Sequence, residues 1–150
     1  ALKEAKRDQE VRVLVLTGEG KAFCSGQDLK ASAAQPDRSF SNSLHKRYNP
    51  IVKAITEMPK PVICRLNGVA AGAGASIALA CDICVATESA SFVQAFSKIG
   101  LIPDSAGTFF LPRLVGIHKA AALMMTGEKV MANDAVAMNM IHKVFCESHC

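Results

Sequence analysis

Apolar positions along the chain fall into short solid runs separated by small and polar stretches. Val11–Thr17 is the clearest strand, nearly all apolar, as expected of a strand covered on both faces. Pro61–Leu66 has the β-branched content of a buried strand, and Ile83–Ala86, Ser91–Gln94 and Lys143–Phe145 read as shorter ones. Leu44, Tyr48, Ile51, Val52, Ile55 and Met58 recur at helical spacing. Asn49-Pro50 interrupts that run, as a kink or as a new helix capped by Asn49 with Pro50 first. Residues 1–9 resemble the end of an amphipathic helix, and Phe96–Ile99 a helical turn. Ile117–Met125, stopped by Gly127, and Ala132–Met138 read as helices. Residues 30–43 are small and polar and read as a mobile surface segment, while Ala22–Leu29 suits neither helix nor strand. Strands alternating with helices predict an α/β fold.

The stretch Val69-Ala-Ala-Gly-Ala-Gly-Ala-Ser76 has hardly a side chain larger than a methyl. It follows a strand and an Asn67-Gly68 turn and opens a short helix closed by Leu79–Asp82. A helix start made of Gly and Ala lets a ligand approach the backbone closely. Its unpaired N–H groups and positive dipole end favour negative charge, standing or developing. The alternative is a tightly packed strand–helix turn.

The chain has 150 residues, enough for one domain with a core, and half of them are hydrophobic. No charge-free apolar run reaches membrane-spanning length, and the polar start ALKEAKRDQE lacks the apolar region of a signal peptide. The expectation is a cytoplasmic protein with no membrane partner. The net charge is +4, but Lys and Arg are scattered with no basic stripe and no interleaved aromatics, which argues against nucleic acid. Cys81-Asp-Ile-Cys84 has C-x-x-C spacing, and Cys146 and Cys150 lie near His142 and His149. The first pair falls where a helix hands over to a strand, so core thiols in a reducing compartment are expected rather than zinc.

Several chemistries are absent from the sequence. There is no G-x-G-x-x-G, no P-loop lysine after a glycine-rich turn and no G-x-S-x-G. His45, His118, His142 and His149 lie away from the Gly-rich turns and read as surface residues. Two turns remain, Phe23-Cys-Ser-Gly26 and Gly72-Ala-Gly74, each following a strong strand. If their strands run parallel, both turns open at the carboxyl ends, where ligands gather in open α/β sheets. Two N–H groups from such turns make an oxyanion hole. A third loop carries Asp104 between apolar Leu101-Ile102 and small Ser105-Ala106-Gly107. A carboxylate in so dry a place suits a general base; the competing reading is a helix cap for the segment from Ser105.

These pieces together resemble the crotonase (enoyl-CoA hydratase/isomerase) superfamily. The matching segments are Val13–Gly18, Lys21–Leu29, Pro59–Ile63, Asn67–Gly74, Cys81-Asp82, Gly100–Pro103, Gly107 with Leu111–Leu114, and Leu123–Gly127. The resemblance implies a spiral of ββα units. It also implies a core domain over 1–150 without the family's N-terminal strands and C-terminal helices. It implies an enzyme acting on acyl-CoA thioesters, with coenzyme A part of the substrate and no separate cofactor or metal. A homotrimer or dimer of trimers is implied too. By position, Ser25 and Ala73 carry the oxyanion N–H groups. Lys21, Phe23, Gly26, Gln27, Asp28 and Leu29 fall along the CoA path, with Gly72 and Gly74 around the second donor, and Ile77, Phe96 and Leu101 wall an acyl pocket. The two hydratase glutamates fall on Ser76 and Phe96, so simple hydration is not expected. Asp104 stands where isomerase branches keep a proton-shuttling carboxylate. The loop Gly100–Arg113 is most similar to ring 1,2-epoxyphenylacetyl-CoA isomerases. A 3,2-trans-enoyl-CoA isomerase or a non-catalytic acyl-CoA-binding domain are the alternatives.

Overall fold

A computed structural model describes residues 1–28 and 40–146. The strands are β1 (Leu14–Thr17), β2 (Ala22–Cys24), β3 (Val62–Leu66), β4 (Val69–Ala71), β5 (Ile83–Thr87), β6 (Ser91–Val93), β7 (Lys129–Met131) and β8 (Lys143–Phe145). The helices are α1 (Leu2–Arg7), α2 (Phe40–Ser43), α3 (Asn49–Thr56), α4 (Ala73–Leu79), α5 (Gly107–Val115), α6 (Ile117–Thr126) and α7 (Ala132–Ala137). A π-helical turn, Leu44–Tyr48, joins α2 to α3, and a 3-10 turn, Ser97–Ile99, follows β6.

Two four-stranded sheets are built in alternation. Sheet order β1-β3-β5-β8 is parallel throughout, and order β2-β4-β6-β7 is parallel except for the antiparallel β6–β7 pair. The chain places a strand in the first sheet, then one in the second, and returns through helix after β2 and β4; after β6 it passes α5, α6 and β7, which joins the second sheet, before α7 leads back to β8. This is the expected spiral of ββα units. Its consequence is that β2, β4 and β6 all end on the same side, so the segments after Cys24, Ala71 and Val93 are neighbours.

The reason for two short strands per turn is visible at Asn67-Gly68. Asn67 Oδ1 accepts the Gly18 N–H at 2.9 Å, and Asn67 Nδ2 donates to Gly20 O at 2.9 Å. One side chain thus ties the β3–β4 corner to the β1–β2 corner. A Cβ at Gly68 would lie 2.1 Å from Lys21 O, so the corners touch through backbone alone.

The main core lies between the sheets and helices α4 to α7, around Leu66, Ala78, Phe92, Leu111 and Leu123. A smaller one joins Leu14 and Val62 to Val52 and Ile55 of α3, with Leu2 and Ala5 of α1 against it. Three expectations change. The first strand begins at Leu14, and one face of it is open: Val13 is 45% and Val15 55% exposed, because α1 and α3 cover only the Leu14 and Leu16 side. Asn49 caps nothing; its φ of −58° and ψ of −40° are helical, and the π turn absorbs Pro50 in a continuous helix. The helix weighed for the segment from Ser105 begins at Gly107, and Gly107–Val115 is helical with Pro112 inside it. Most of the 30–43 segment lies outside the described residues, as does His149. His45, His118 and His142 are exposed. No helix among the described residues is long and apolar enough to cross a membrane.

Candidate active site

A cleft of about 80 Å³ is lined by Ser25, Gly26, Gln27, Gly72, Ala73, Ala95, Phe96, Ile99, Leu101 and Asp104. Each of the three neighbouring strand ends contributes. Ser25 follows β2, just past its last paired residue, Cys24 opposite Ala70. Gly72 and Ala73 follow β4, and Ala95 and Phe96 follow β6.

Backbone reaches backbone at this point. Gly26, at φ +83°, would carry a Cβ 2.9 Å from Ala71 O and 3.4 Å from Ala73 N. A side chain there would separate the two turns, and only glycine takes that φ freely. Gly72 has φ 53° and ψ −125°, another glycine conformation, with its N–H bonded to Val93 O at 2.9 Å. It turns the chain directly into α4. Ala73 is the first residue of that helix, and its N–H belongs to the first turn, which has no intrahelical acceptor. Ala73 itself is buried and lines the cleft.

The walls are apolar. The Phe96 ring lies over Gly72, its Cζ 3.8 Å from where a Gly72 Cβ would stand. Leu101 N–H and Ile99 N–H both donate to Phe96 O at 3.0 Å, which folds these three residues into one wall. Among the described residues lining the cleft, Asp104 is the one titratable group. Burial raises its pKa from the usual carboxylate value, and a hydrogen bond from Ser105 pulls partly against that rise. Ser105 Oγ–H donates to Asp104 Oδ1 at 2.8 Å.

Asp104 does not cap a helix. Helix α5 starts at Gly107, its cap position is Ala106, and no side chain bonds to its first N–H groups. The Asp104 backbone carbonyl instead accepts the Gly107 N–H at 2.8 Å, closing a turn. Both central residues are left-handed, Ser105 at φ 51° and Ala106 at φ 62°. Type I′ geometry of this kind normally uses glycine or asparagine. Ser and Ala cost about 1 kcal/mol or more each there, the sort of strain that surrounding structure must hold in place.

Eight of the residues singled out in sequence thus share one cleft: Ser25, Gly26, Gln27, Gly72, Ala73, Phe96, Leu101 and Asp104. Others do not line it. Ile77 packs into the smaller core with Leu14 and Val62, because its helical position turns it toward α3 rather than the cleft. Phe23 packs against the main core. Gly74 is buried on the β2 side of α4, where a Cβ would lie 2.3 Å from Cys24 O, so it sets the distance of α4 from β2. Lys21 and Asp28 are exposed off the cleft wall, and Leu29 lies outside the described residues. Sequence reasoning missed Ala95, Ile99 and Ser105. Ser105 had a signal, since a small hydroxyl directly after a carboxylate bonds back to it readily; it was absorbed into the cap reading.

Ser76 is fully buried, and its Oγ finds no hydrogen-bond partner among the described residues. It faces the start of α5, where a Gly107 Cβ would meet Ser76 Oγ at 2.6 Å. Among the described residues no group of three or more His, Cys, Asp or Glu is placed to hold a metal ion.

The chain is similar to 1,2-epoxyphenylacetyl-CoA isomerase of Escherichia coli (strain K12), 47% identical over 95% of this chain and 56% of that protein. It is 48% identical to a protein described as a probable enoyl-CoA hydratase from Rhodobacter capsulatus, over 88% of this chain and 51% of that protein. A crystal structure of an enoyl-CoA hydratase from Polaromonas sp. JS666 superposes with a TM-score of 0.89 at 36% identity, over 97% of this chain and 57% of that one. The chain therefore spans about half the length of the curated relatives it matches. The family profile described as enoyl-CoA hydratase/isomerase matches residues 1–150, and the chain belongs to that family.

Proposed function

We propose that the full-length protein is an acyl-CoA isomerase in which Asp104 moves a proton and two backbone N–H groups hold the thioester oxyanion. The observation that carries this is the meeting of Ser25, Ala73 and Asp104 on one apolar cleft. The Ser25 and Ala73 N–H groups would polarise the thioester carbonyl, acidify its α-carbon and stabilise the enolate that forms. The Asp104 carboxylate takes the proton from one carbon and returns it at another; its raised pKa brings it closer to the working range of a base. Coenzyme A enters as part of the substrate, along Ser25–Asp28, with Lys21 toward its phosphates and no further cofactor.

Isomerisation is favoured over hydration by what lines the cleft. Hydration needs two carboxylates to activate and protonate water. Here Phe96 is apolar, and Ser76 is buried against Gly107 outside the cleft. The likeness to the Escherichia coli isomerase supports 1,2-epoxyphenylacetyl-CoA as substrate, with ring expansion to the oxepin. A double-bond shift of the 3,2-trans-enoyl-CoA type uses the same groups. It draws support from a relative named trans-2-decenoyl-[acyl-carrier-protein] isomerase from Streptococcus mutans, 39% identical over 98% of this chain and 57% of that protein.

The test is product analysis of the full-length protein and its Asp104→Asn variant with both thioesters. Loss of isomerisation in Asp104→Asn with acyl-CoA binding retained by calorimetry is the expected result. Unchanged isomerisation of both substrates refutes the assignment. Thioester binding without product from the unmodified protein would make it a binding domain instead.

A further inference from the structure

The Asp104 cleft is graded from buried to open. Ala73 and Phe96 are buried, Ala95, Leu101 and Asp104 are half-buried, and Ser25 and Ile99 are exposed at the rim. Ile99 is the large apolar residue of that rim, 47% exposed although it lines the cleft. Its backbone is fixed from two sides. Ile99 N–H and Leu101 N–H converge on Phe96 O, and Gly100 N–H donates to Ser97 O at 3.2 Å. Gly100 between them is left-handed, at φ 70°, so the chain reverses there and both neighbours border the cleft. Behind this turn lies the end of α6, where a Cβ at Gly127 would stand 3.1 Å from Gln94 O and 3.2 Å from Ser97 Oγ. The turn has no slack toward α6, and a β-branched side chain is stiff at χ1.

The space that Ile99 bounds is small. The cleft's volume of about 80 Å³ is roughly half of the ~150 Å³ in which a benzene ring is held. It takes a thioester carbonyl and the first carbons of an acyl group. Phe96 is backed by packed protein, whereas Ile99 borders open space among the described residues. Extra bulk is therefore admitted or refused at Ile99.

We propose that Ile99 is a specificity-determining residue that limits the bulk of the acyl group reaching Asp104. This role rests on the acyl-CoA assignment above and concerns what that site admits. Slim unbranched acyl groups fit past the isoleucine without displacing it. A ring beside Asp104 takes room that the Ile99 side chain holds.

The test uses the full-length protein and two thioesters with no double bond or epoxide to shift, butyryl-CoA and phenylacetyl-CoA. Binding is then read without isomerisation, and the coenzyme A part is common to both. Calorimetry gives the ratio of the two dissociation constants in the unsubstituted protein, in Ile99→Ala and in Ile99→Phe. Ile99→Ala should move the ratio toward phenylacetyl-CoA by about tenfold, the scale on which a small change in an apolar pocket discriminates. Ile99→Phe should move it toward butyryl-CoA. An Ile99→Ala ratio that stays within about twofold, or moves toward butyryl-CoA, overturns the proposal and leaves the acyl-CoA assignment standing. Failure of the unsubstituted protein to bind either thioester overturns that assignment and this role with it. Should Ile99→Ala fail to fold by circular dichroism, Ile99→Val decides by the direction of its shift.

Discussion

Ser76 and Gly107 are coupled by shape, and the coupling can be measured. A Cβ at Gly107 would stand 2.6 Å from Ser76 Oγ, 3.3 Å from Pro103 Cβ and 3.6 Å from Ser76 Cβ. Gly107 has no positive φ, so alanine there carries no backbone strain. Helix propensity favours alanine by up to about 1 kcal/mol, but forcing a methyl into a filled space costs about 1–3 kcal/mol. Gly107→Ala alone should therefore destabilise by about 1–2 kcal/mol. Ser76→Ala deletes a buried hydroxyl with no partner, so its own effect stays within about 1 kcal/mol. In that background the 2.6 Å collision is gone and the next contact is 3.3 Å. The double variant should then exceed Gly107→Ala in stability, with a coupling of about 1–3 kcal/mol. The chain has no tryptophan, so urea unfolding is followed by far-ultraviolet circular dichroism. A coupling inside the additivity error of about 0.5 kcal/mol would refute the argument. Ser76→Glu makes the same point about function. Its larger side chain meets the start of α5, so it should destabilise more than Gly107→Ala and give no hydration product.

Ser105→Ala removes the hydrogen bond that holds the Asp104 carboxylate charged, so the Asp104 pKa should rise further. The acid limb of kcat/KM then moves to higher pH while the high-pH plateau is kept; a limb that stays or moves down refutes the positioning role. Ala106→Gly relieves a left-handed alanine at φ 62° and should stabilise by about 0.5–1 kcal/mol in thermal unfolding, where a loss would contradict the strain. Asn67→Ala cuts the ties to Gly18 and Gly20 and should cost about 1 kcal/mol, with faster amide exchange in residues 18–24. Unchanged exchange there would show that the corner does not depend on this side chain.

The fold was legible where burial decides the pattern. β3 shows a buried–half-buried alternation over Val62–Leu66, and β5 is buried at Cys84, Ala86 and Thr87. Short strands of three residues were less so. β2 (Ala22–Cys24) has no buried residue and β7 (Lys129–Met131) has one, so neither leaves a hydrophobic signal. They exist because Asn67 and the β6 pairing hold their backbone, which periodicity does not record. Helix α5 was weighed in sequence only through an Asp104 cap and a stop at Gly116; Pro112, whose missing N–H counts against a helix, sits inside it. The apolar run at Val13 and Val15 predicted cover on both faces, and one face has none among the described residues.

The cleft was legible for a different reason. Glycines at φ +83° and +53° and a first-turn alanine are backbone requirements, and backbone requirements leave residue types in the sequence that packing does not explain. Positions read through side-chain direction fared worse. Ile77 sits one residue after Ser76 on the same helix, yet points into the α3 core, because consecutive helical residues face about 100° apart. The same geometry bears on the proposed reaction. Ser76 faces Gly107 instead of the cleft, so the space for a second carboxylate is filled by the start of α5. The turn that precedes α5, strained at Ser105 and Ala106, is what brings Asp104 to the cleft wall. One helix start therefore packs against Ser76 outside the cleft while the turn that leads into it presents Asp104 to the cleft wall. The arrangement leaves Asp104 as the one carboxylate among the described residues lining the cleft, which is what the proposed proton transfer requires.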